Sequence, residues 1–379
     1  MKIRAAVCAA IGGPLAVREV DLREPGPDEV LVRIGATGVC ASDLHVIDGS
    51  LPKPMPIVPG HEAAGRVAAL GPRAGDASGP RATDFDGDDL VVGDHVVVTI
   101  LPWCGRCRAC RAGHRRACAW ASELAATGTL GDGATALRID GGPLHHFTGL
   151  SSWAEYAVVH RTAAVRVPPD LPLTQAALLG CAVATGFGAV RSAARVGTGQ
   201  SVAVIGCGGV GLNVVQAARL AGAAPLIAVD RNPAALELAA AFGATHTLLA
   251  DELPADVLIA EVVPAGVDHA FEVLGRPETV EAAWRATGAG GQTTVVGLLP
   301  VDAQVRLDAF ALISEKRLVG TYLGGVEPAR DIPPLARAAA AGDIVLAPLI
   351  REITLDDLPA AVERLRIGIV TARQVVTMP

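Results

Sequence analysis

Cys104, Cys107, Cys110 and Cys118 stand in the pattern C-x2-C-x2-C-x7-C. Thiolates crowded at this spacing can close around one metal ion, and four sulfurs with no open position suit a tetrahedral structural zinc. The residues between them, Gly105, Arg106, Arg108 and the stretch 111–116, are basic and polar, as in a loop wrapped around an ion. Cationic neighbours would also favour the thiolate form that metals require. The competing readings are two disulfides or a redox C-x2-C pair. Three cysteines evenly three apart can scarcely pair among themselves without strain, which favours the metal.

A second pattern points to a nucleotide. Gly206-Cys207-Gly208-Gly209-Val210-Gly211 fits G-x-G-x-x-G. Alone that pattern is weak. Here it follows the apolar run 201–205, opens an alanine-rich segment from Leu212, and is followed by Asp230 at the end of the next apolar run. Strand, glycine turn, helix, strand and acid together predict a dinucleotide-binding unit. Gly206 permits the tight turn, Gly208 lets a pyrophosphate approach the backbone, and Gly211 lets the helix pack closely. Gly209 and Val210 lie in the turn that brings the helix N-terminus to the diphosphate. Asp230 can accept hydrogen bonds from both adenosine ribose hydroxyls and repel a 2′-phosphate, which favours NAD over NADP. Arg231 next door could pair with that phosphate and blunts the preference.

Three further motifs are Gly38-Val39-Cys40-Ala41-Ser42-Asp43-Leu44-His45, Gly60-His61-Glu62-Ala63-Ala64-Gly65 and Gly180-Cys181-Ala182-Val183-Ala184-Thr185-Gly186. Spacing alone does not connect them. With the four-cysteine lobe and the glycine turn, in this order over essentially the whole length, the chain resembles a zinc-dependent alcohol dehydrogenase of the medium-chain dehydrogenase/reductase superfamily. The resemblance implies a mixed α/β chain: a GroES-like β-rich catalytic domain, a Rossmann doubly wound parallel-sheet coenzyme domain, and an active site between them. It makes Cys40, His61 and Cys181 the ligands of a catalytic zinc, so that two Zn2+ ions, one catalytic and one structural, accompany NAD. Two thiolates and an imidazole leave a fourth position for water or an alcohol oxygen, whose pKa the ion lowers. By the same resemblance Asp43 hydrogen-bonds His61 and fixes its tautomer, and Glu62 stands behind the metal or ligates it transiently. Ser42 and His45 form a proton relay, Thr185 contacts the nicotinamide, and Arg373 lies near the coenzyme diphosphate. Ala41 departs from relatives that place a cation there, which implies weaker coenzyme binding and faster release.

The elements that must hold these residues change in texture along the chain. Residues 1–182 read as short strands between Gly, Pro and Asp, with the zinc lobe at about 103–119. Residues 183–323 alternate buried apolar strands with alanine-rich helices at 212–221 and 233–242, the mark of a parallel sheet. Residues 324–379 offer a helix over 333–341, an extended piece, a helix near 358–365 and a final strand, and are expected to return to the first domain. The stretch 72–94 reads as an enlarged surface loop; its Asp84-x-Asp86-Gly87-Asp88 has the glycine misplaced for a calcium loop. Adjacent His145 and His146 point to opposite faces and should not share an ion. Cys8 and Cys207 read as small buried hydrophobes.

Composition narrows the classes. The 379 residues are 51% hydrophobic and 19% charged, enough for a large core and against disorder. Aromatics are only 3%, so Ala, Val and Leu must fill the interior. A net charge of -7 without a basic run argues against nucleic acid or an anionic membrane as partner. Lys2 and Arg4 precede an apolar run, but Gly12-Gly13-Pro14 breaks it as a hairpin would, against a secretory signal. Metal thiolates point to a reducing, cytoplasmic setting.

The expected activity is reversible NAD-dependent oxidation of a small alcohol. The resemblance places apolar Ile100, Phe147 and Leu298 around the substrate, which suits an aliphatic or aromatic alcohol. A glutathione-dependent formaldehyde dehydrogenase would carry an Asp and an Arg where Leu51 and Ser122 stand; a mycothiol-type adduct is not excluded this way. A polyol dehydrogenase would carry a glutamate in place of Cys181. A noncatalytic zinc-stabilised NAD-binding module is the alternative from another class. A homodimer or homotetramer is expected, with 291–299 followed by Arg306-Leu307 as a candidate pairing edge by analogy with relatives.

Overall fold

Residues 1–73, 89–369 and 372–379 are described in this computed structural model; most of the loop expected over 72–94, including Asp84 to Asp88, lies outside them. The glycine-proline break after the first apolar run makes a hairpin. Lys2–Cys8 pairs antiparallel with Leu15–Leu22. With Leu137–Ile139, Gly142–His146 and Ile57–Val58 these strands close a small barrel. Its interior is filled by buried Ile3, Val7, Val20, Leu22, Leu137, Leu144 and Trp153.

A second sheet is organised around the long strand Glu29–Gly38. That strand pairs antiparallel with Ala63–Leu70, with Tyr156–His160 and with Arg373–Thr377. Beyond Ala63–Leu70 come His95–Val98 and Ala164–Arg166. Arg373–Thr377 also pairs parallel with Ile350–Ile353. Valines and isoleucines alternate onto the buried face, with Val30, Val32, Ile34, Val96 and Val98 at its centre.

Residues Ala182–Val326 form one compact unit; Met1–Cys181 and Glu327–Pro379 form the other. The central unit carries six parallel strands in the order His246–Leu249, Leu226–Asp230, Val202–Ile205, Val267–Glu272, Thr287–Val295, Arg317–Gly320. Helices Gly209–Leu220, Pro233–Ala241, Ala255–Val262 and Pro277–Ala286 connect them. Continuous apolar runs such as Val202–Ile205 are buried on both faces, as a parallel sheet demands. The fold is therefore the expected mixture: a GroES-like domain with a small barrel, and an all-parallel Rossmann-type sheet.

Two local readings are corrected. The helix expected over 333–341 is Pro328–Ala340. Pro333 and Pro334 look like a helix start, yet Pro328 takes the first turn, where a missing N–H costs nothing, and the later prolines lie inside. The stretch 291–299 is not an edge. Thr287–Val295 has a neighbour on each side, and Arg317–Gly320 is the outer strand. Apolar runs alone do not show which parallel strand lies outermost.

The glycine turn shows why Gly206 and Gly211 cannot carry side chains. Gly206 has φ +100°. A Cβ on Gly211 would lie 1.8 Å from the Gly206 carbonyl oxygen, so the helix start is packed against the turn itself. Gly211→Ala is expected to destabilise this unit by about 1–3 kcal/mol, the usual cost of overpacking. A melting temperature equal to wild type in calorimetry would contradict that packing argument.

Candidate functional site

Cys40 sits immediately before the helix Ala41–Ile47, in extended conformation. Asp43 closes the first turn of that helix, and its Oδ2 accepts the Cys40 N–H at 3.1 Å. Its other oxygen, Oδ1, accepts from the Gly60 N–H at 2.9 Å and stands 3.0 Å from His61 Nδ1. A carboxylate is an acceptor only, so Nδ1 carries the hydrogen and Nε2 keeps its lone pair for a metal. Asp43 is fully buried.

The donor atoms of Cys40, His61 and Cys181 all lie within 4.8 Å of one another, and the residues are 6%, 2% and 7% exposed. Hydrogen bonding from Cys181 lowers the Cys40 thiol well below its ordinary value, and the charges of Arg373 and His61 add to this. Cys181 is raised in turn, first by that shared proton with Cys40 and then by burial. Burial alone would lower His61; the charge and hydrogen bond of Asp43 outweigh it. These are the features of a soft, three-donor cation site, and the residues fit zinc. The Phe147 ring meets the His61 ring edge-on, with centroids 5.3 Å apart.

Glu62 is fully buried and faces Arg373 Nη2 at 3.2 Å. The resemblance implies a place near the coenzyme diphosphate for Arg373. Here it is 8% exposed, and its Nη1 donates to the Val39 carbonyl at 3.1 Å. Its charge also faces Cys40 and Cys181. The guanidinium therefore balances the charge of two thiols and Glu62 from behind.

Ser42 Oγ lies 3.9 Å from Cys40 Sγ. His45 Nδ1 is 2.6 Å from Ser50 Oγ, and Ser50 donates to Asp48 Oδ1 at 2.7 Å. The single Ser50 proton is committed to Asp48, so His45 Nδ1 must donate and Nε2 is the free acceptor. Sequence reasoning missed Ser50 and Asp48. The only signal was the short polar run Asp48-Gly49-Ser50 after His45, which reads as an ordinary Asx turn.

The four-cysteine lobe is brought together as well. All four Sγ atoms lie within 4.8 Å of one another. Cys107 and Cys118 are separated by 3.9 Å, and Cys118 and Cys104 by 3.6 Å. Tetrahedral Zn–S bonds of about 2.3 Å put sulfurs about 3.8 Å apart, whereas a disulfide needs about 2.05 Å. None of the cysteines is in a disulfide. The Cys107 thiol is lowered to about 6, first by the Cys110 N–H, so backbone donors rather than the arginines favour its thiolate. Burial, then Cys107, raises Cys110 to about 12. Arg115 instead stacks over Trp103 at 4.2 Å, and Arg116 reaches Glu327 at 3.5 Å.

In the central unit Asp230 ends its strand, with Oδ2 accepting the Cys207 N–H at 2.6 Å and Oδ1 the Asn232 N–H at 2.8 Å. The acid is thus tied to the glycine turn. A Cβ on Gly208 would meet nothing within 4 Å, which leaves the backbone open to a ligand. Gly209 and Val210 begin the helix, Arg231 is exposed, and Thr185 is buried in the helix Ala182–Gly188. His146 Nε2 accepts the Ala136 N–H at 3.0 Å, and burial lowers its pKa to about 3, so the ring stays neutral.

Comparison with known proteins agrees with this arrangement. Residues 26–169 match the alcohol dehydrogenase GroES-like domain, and residues 209–341 match the zinc-binding dehydrogenase domain. The S-(hydroxymethyl)glutathione dehydrogenase of Synechocystis is 35% identical over 373 residues, covering 97% of this chain and 98% of that protein. A zinc-binding alcohol dehydrogenase domain protein from Burkholderia ambifaria superposes with TM-score 0.91 at 36% identity, over 100% of this chain and 99% of that one. Benzyl alcohol dehydrogenase from Acinetobacter calcoaceticus gives 0.90 at 32% identity, over 100% of both.

Metal analysis is expected to find one zinc for each of the two donor groups. Cys118→Ser should lose only the ion of the four-cysteine lobe. Asp43→Asn should weaken zinc retention at the three-donor group by about 10–100-fold in chelator competition. Unchanged retention would refute the orienting role of Asp43.

Proposed function

The chain belongs to the zinc-binding medium-chain alcohol dehydrogenase family, and on that premise we propose that it catalyses reversible NAD-dependent oxidation of a primary or secondary alcohol, aliphatic or aromatic, to an aldehyde or ketone. The observation that carries this reading is the buried set Cys40, His61 and Cys181, three donors converging with no fourth among the described residues. When bound, zinc supplies Lewis-acid polarisation of the substrate oxygen, and NAD accepts the hydride.

The residues of the chain do the rest. Asp43 holds His61 with Nε2 toward the metal position. Arg373 and Glu62 set the charge behind the thiols. Each turnover removes one hydride and one proton from the alcohol. Ser42 passes the proton outward, and His45 receives it at Nε2, since Nδ1 is engaged by Ser50. The unit Ala182–Val326 carries the coenzyme: Asp230 keeps free lone pairs for ribose hydroxyls, and its charge disfavours a 2′-phosphate. Assembly as a homodimer or homotetramer belongs to the same proposal, for which exposed Phe310 and Ile313 supply apolar surface.

A second reading rests on the similarity to S-(hydroxymethyl)glutathione dehydrogenases. Against glutathione, Leu51 packs beside Val46, Ile57 and Phe147, and Ser122 Oγ donates to the Cys118 carbonyl at 3.3 Å. Neither offers an anionic adduct a charged anchor. A panel of hexanol, benzyl alcohol, sorbitol and formaldehyde with glutathione or mycothiol, followed by NADH absorbance, separates the readings. Hexanol and benzyl alcohol should be turned over and sorbitol should not; a higher kcat/KM for a thiol adduct of formaldehyde would favour the second reading.

Cys40→Ala should lower kcat by about a thousandfold or more, the several kcal/mol of lost polarisation, while NAD binding persists. Retained wild-type turnover would refute the ligand assignment. Asp230→Gly should raise the kcat/KM ratio of NADP to NAD, and an unchanged ratio would count against its ribose role.

A further inference from the structure

A cavity of about 350 Å³ opens in the central unit, lined by Ser192, Arg195, Gln200, His269, Gln292 and Arg317 among others. Its volume is within the range of small-molecule sites. It lies at the amino ends of the parallel strands, away from the glycine turn and Asp230 at their carboxyl ends. The register shows this directly. Val202 pairs with His269, His269 with Gln292, and Gln292 with Arg317, so one row runs across four strands.

Two guanidinium groups stand at this cavity without acids to neutralise them. Arg195 and Arg317 are exposed, and among the described residues neither has an ion-pair partner. Asp268, the carboxylate next to His269, is occupied by the Ser201 N–H at 2.8 Å and the Ser201 hydroxyl at 2.6 Å. Arg195 has φ +54° and closes a wider π-type turn, Ala189–Ala194, a distortion frequent where helices serve a site.

His269 supplies the third element. It is 4% exposed, and its Nε2 lies 3.0 Å from Gln200 Oε1. That oxygen also accepts the Gly197 N–H at 2.7 Å, which identifies it as the amide oxygen. His269 Nε2 therefore carries the hydrogen. Nδ1 is left as a bare, buried lone pair with no partner. Burial keeps the ring neutral; Asp268 opposes this and Arg317 supports it. Stacking against Phe271, with centroids 6.4 Å apart, fixes its plane. Gln292 is locked by donating to the Ala193 carbonyl at 3.1 Å and to Thr294 Oγ1 at 3.0 Å.

We propose that this cavity binds a small phosphate-bearing anion that retains an O–H donor, with Arg195 and Arg317 on its charged oxygens and His269 Nδ1 accepting its proton-bearing hydroxyl. Two unpaired guanidinium groups select an anion. A buried acceptor rejects a fully deprotonated one, because lone pair would face lone pair. Hydrogen phosphate satisfies both demands and sulfate satisfies only the first. The site is separate from the dehydrogenase reading, which stands or falls without it.

The test is calorimetric titration of the zinc-loaded, NAD-saturated enzyme near neutral pH and at low salt, with inorganic phosphate, glycerol 3-phosphate and sulfate. NAD saturation keeps phosphate from the coenzyme cradle. Saturable phosphate binding is expected, weakened roughly tenfold or more in Arg195→Ala and again in Arg317→Ala, both exposed positions. Sulfate should bind roughly tenfold or more weakly than phosphate. Tighter binding of glycerol 3-phosphate would identify the ligand as an ester; tighter binding of phosphate would identify the free ion. Absence of saturable phosphate binding, or binding indifferent to both arginine variants, would overturn the site. Sulfate binding as tightly as phosphate would overturn the role of His269.

Discussion

One buried carboxylate organises the three-donor site of this protein. Asp43 accepts from the backbone of Cys40, from the backbone of Gly60 and from the ring of His61. Two of the three soft donors thereby owe their positions to the same side chain. A buried carboxylate without such partners would be expensive, so each contact also justifies the presence of the charge. The strand Glu29–Gly38, which leads into Cys40, and the segment leading to His61 are held together at this point by protein contacts.

Around that knot the charges alternate. Two thiols and Glu62 face Arg373, and Phe147 closes one flank of His61. The central unit follows a different logic. Its sheet presents backbone and one acid at the carboxyl ends of the strands, where Asp230 grips the glycine turn. At the amino ends it presents side chains: a neutral histidine, two glutamines and two arginines. Both ends of one sheet are thus chemically furnished, one by main chain and one by side chain.

What could be read in the residues follows from how local each feature is. The four-cysteine lobe and the G-x-G-x-x-G turn lie within short stretches, and their spacing carried the chemistry. The parallel sheet was legible because strands buried on both faces show unbroken apolar runs. Cys40, His61 and Cys181 are remote in sequence, and only family resemblance joined them. Ser50 and Asp48 gave no pattern beyond a turn, and their bond to His45 depends on how that turn folds back. That Arg373 faces Glu62 and the thiols is a matter of tertiary packing, which no local pattern shows. The outer strand of the sheet was misread because edge and interior strands can be equally apolar over a short span.

The guanidinium beside Glu62 has a consequence for the order of assembly. Arg373 opens a strand that inserts between Glu29–Gly38 and Ile350–Ile353, and it is separated from its partner Val39 by 334 positions. The central unit is contiguous and can fold as soon as it leaves the ribosome. The first unit must wait with a gap in its sheet until residues far downstream are made. During that interval the thiols lack their counter-charge and the long strand has an unpaired edge, so the nascent chain passes through a stage in which its thiols are open to scavenging and its sheet to mispairing.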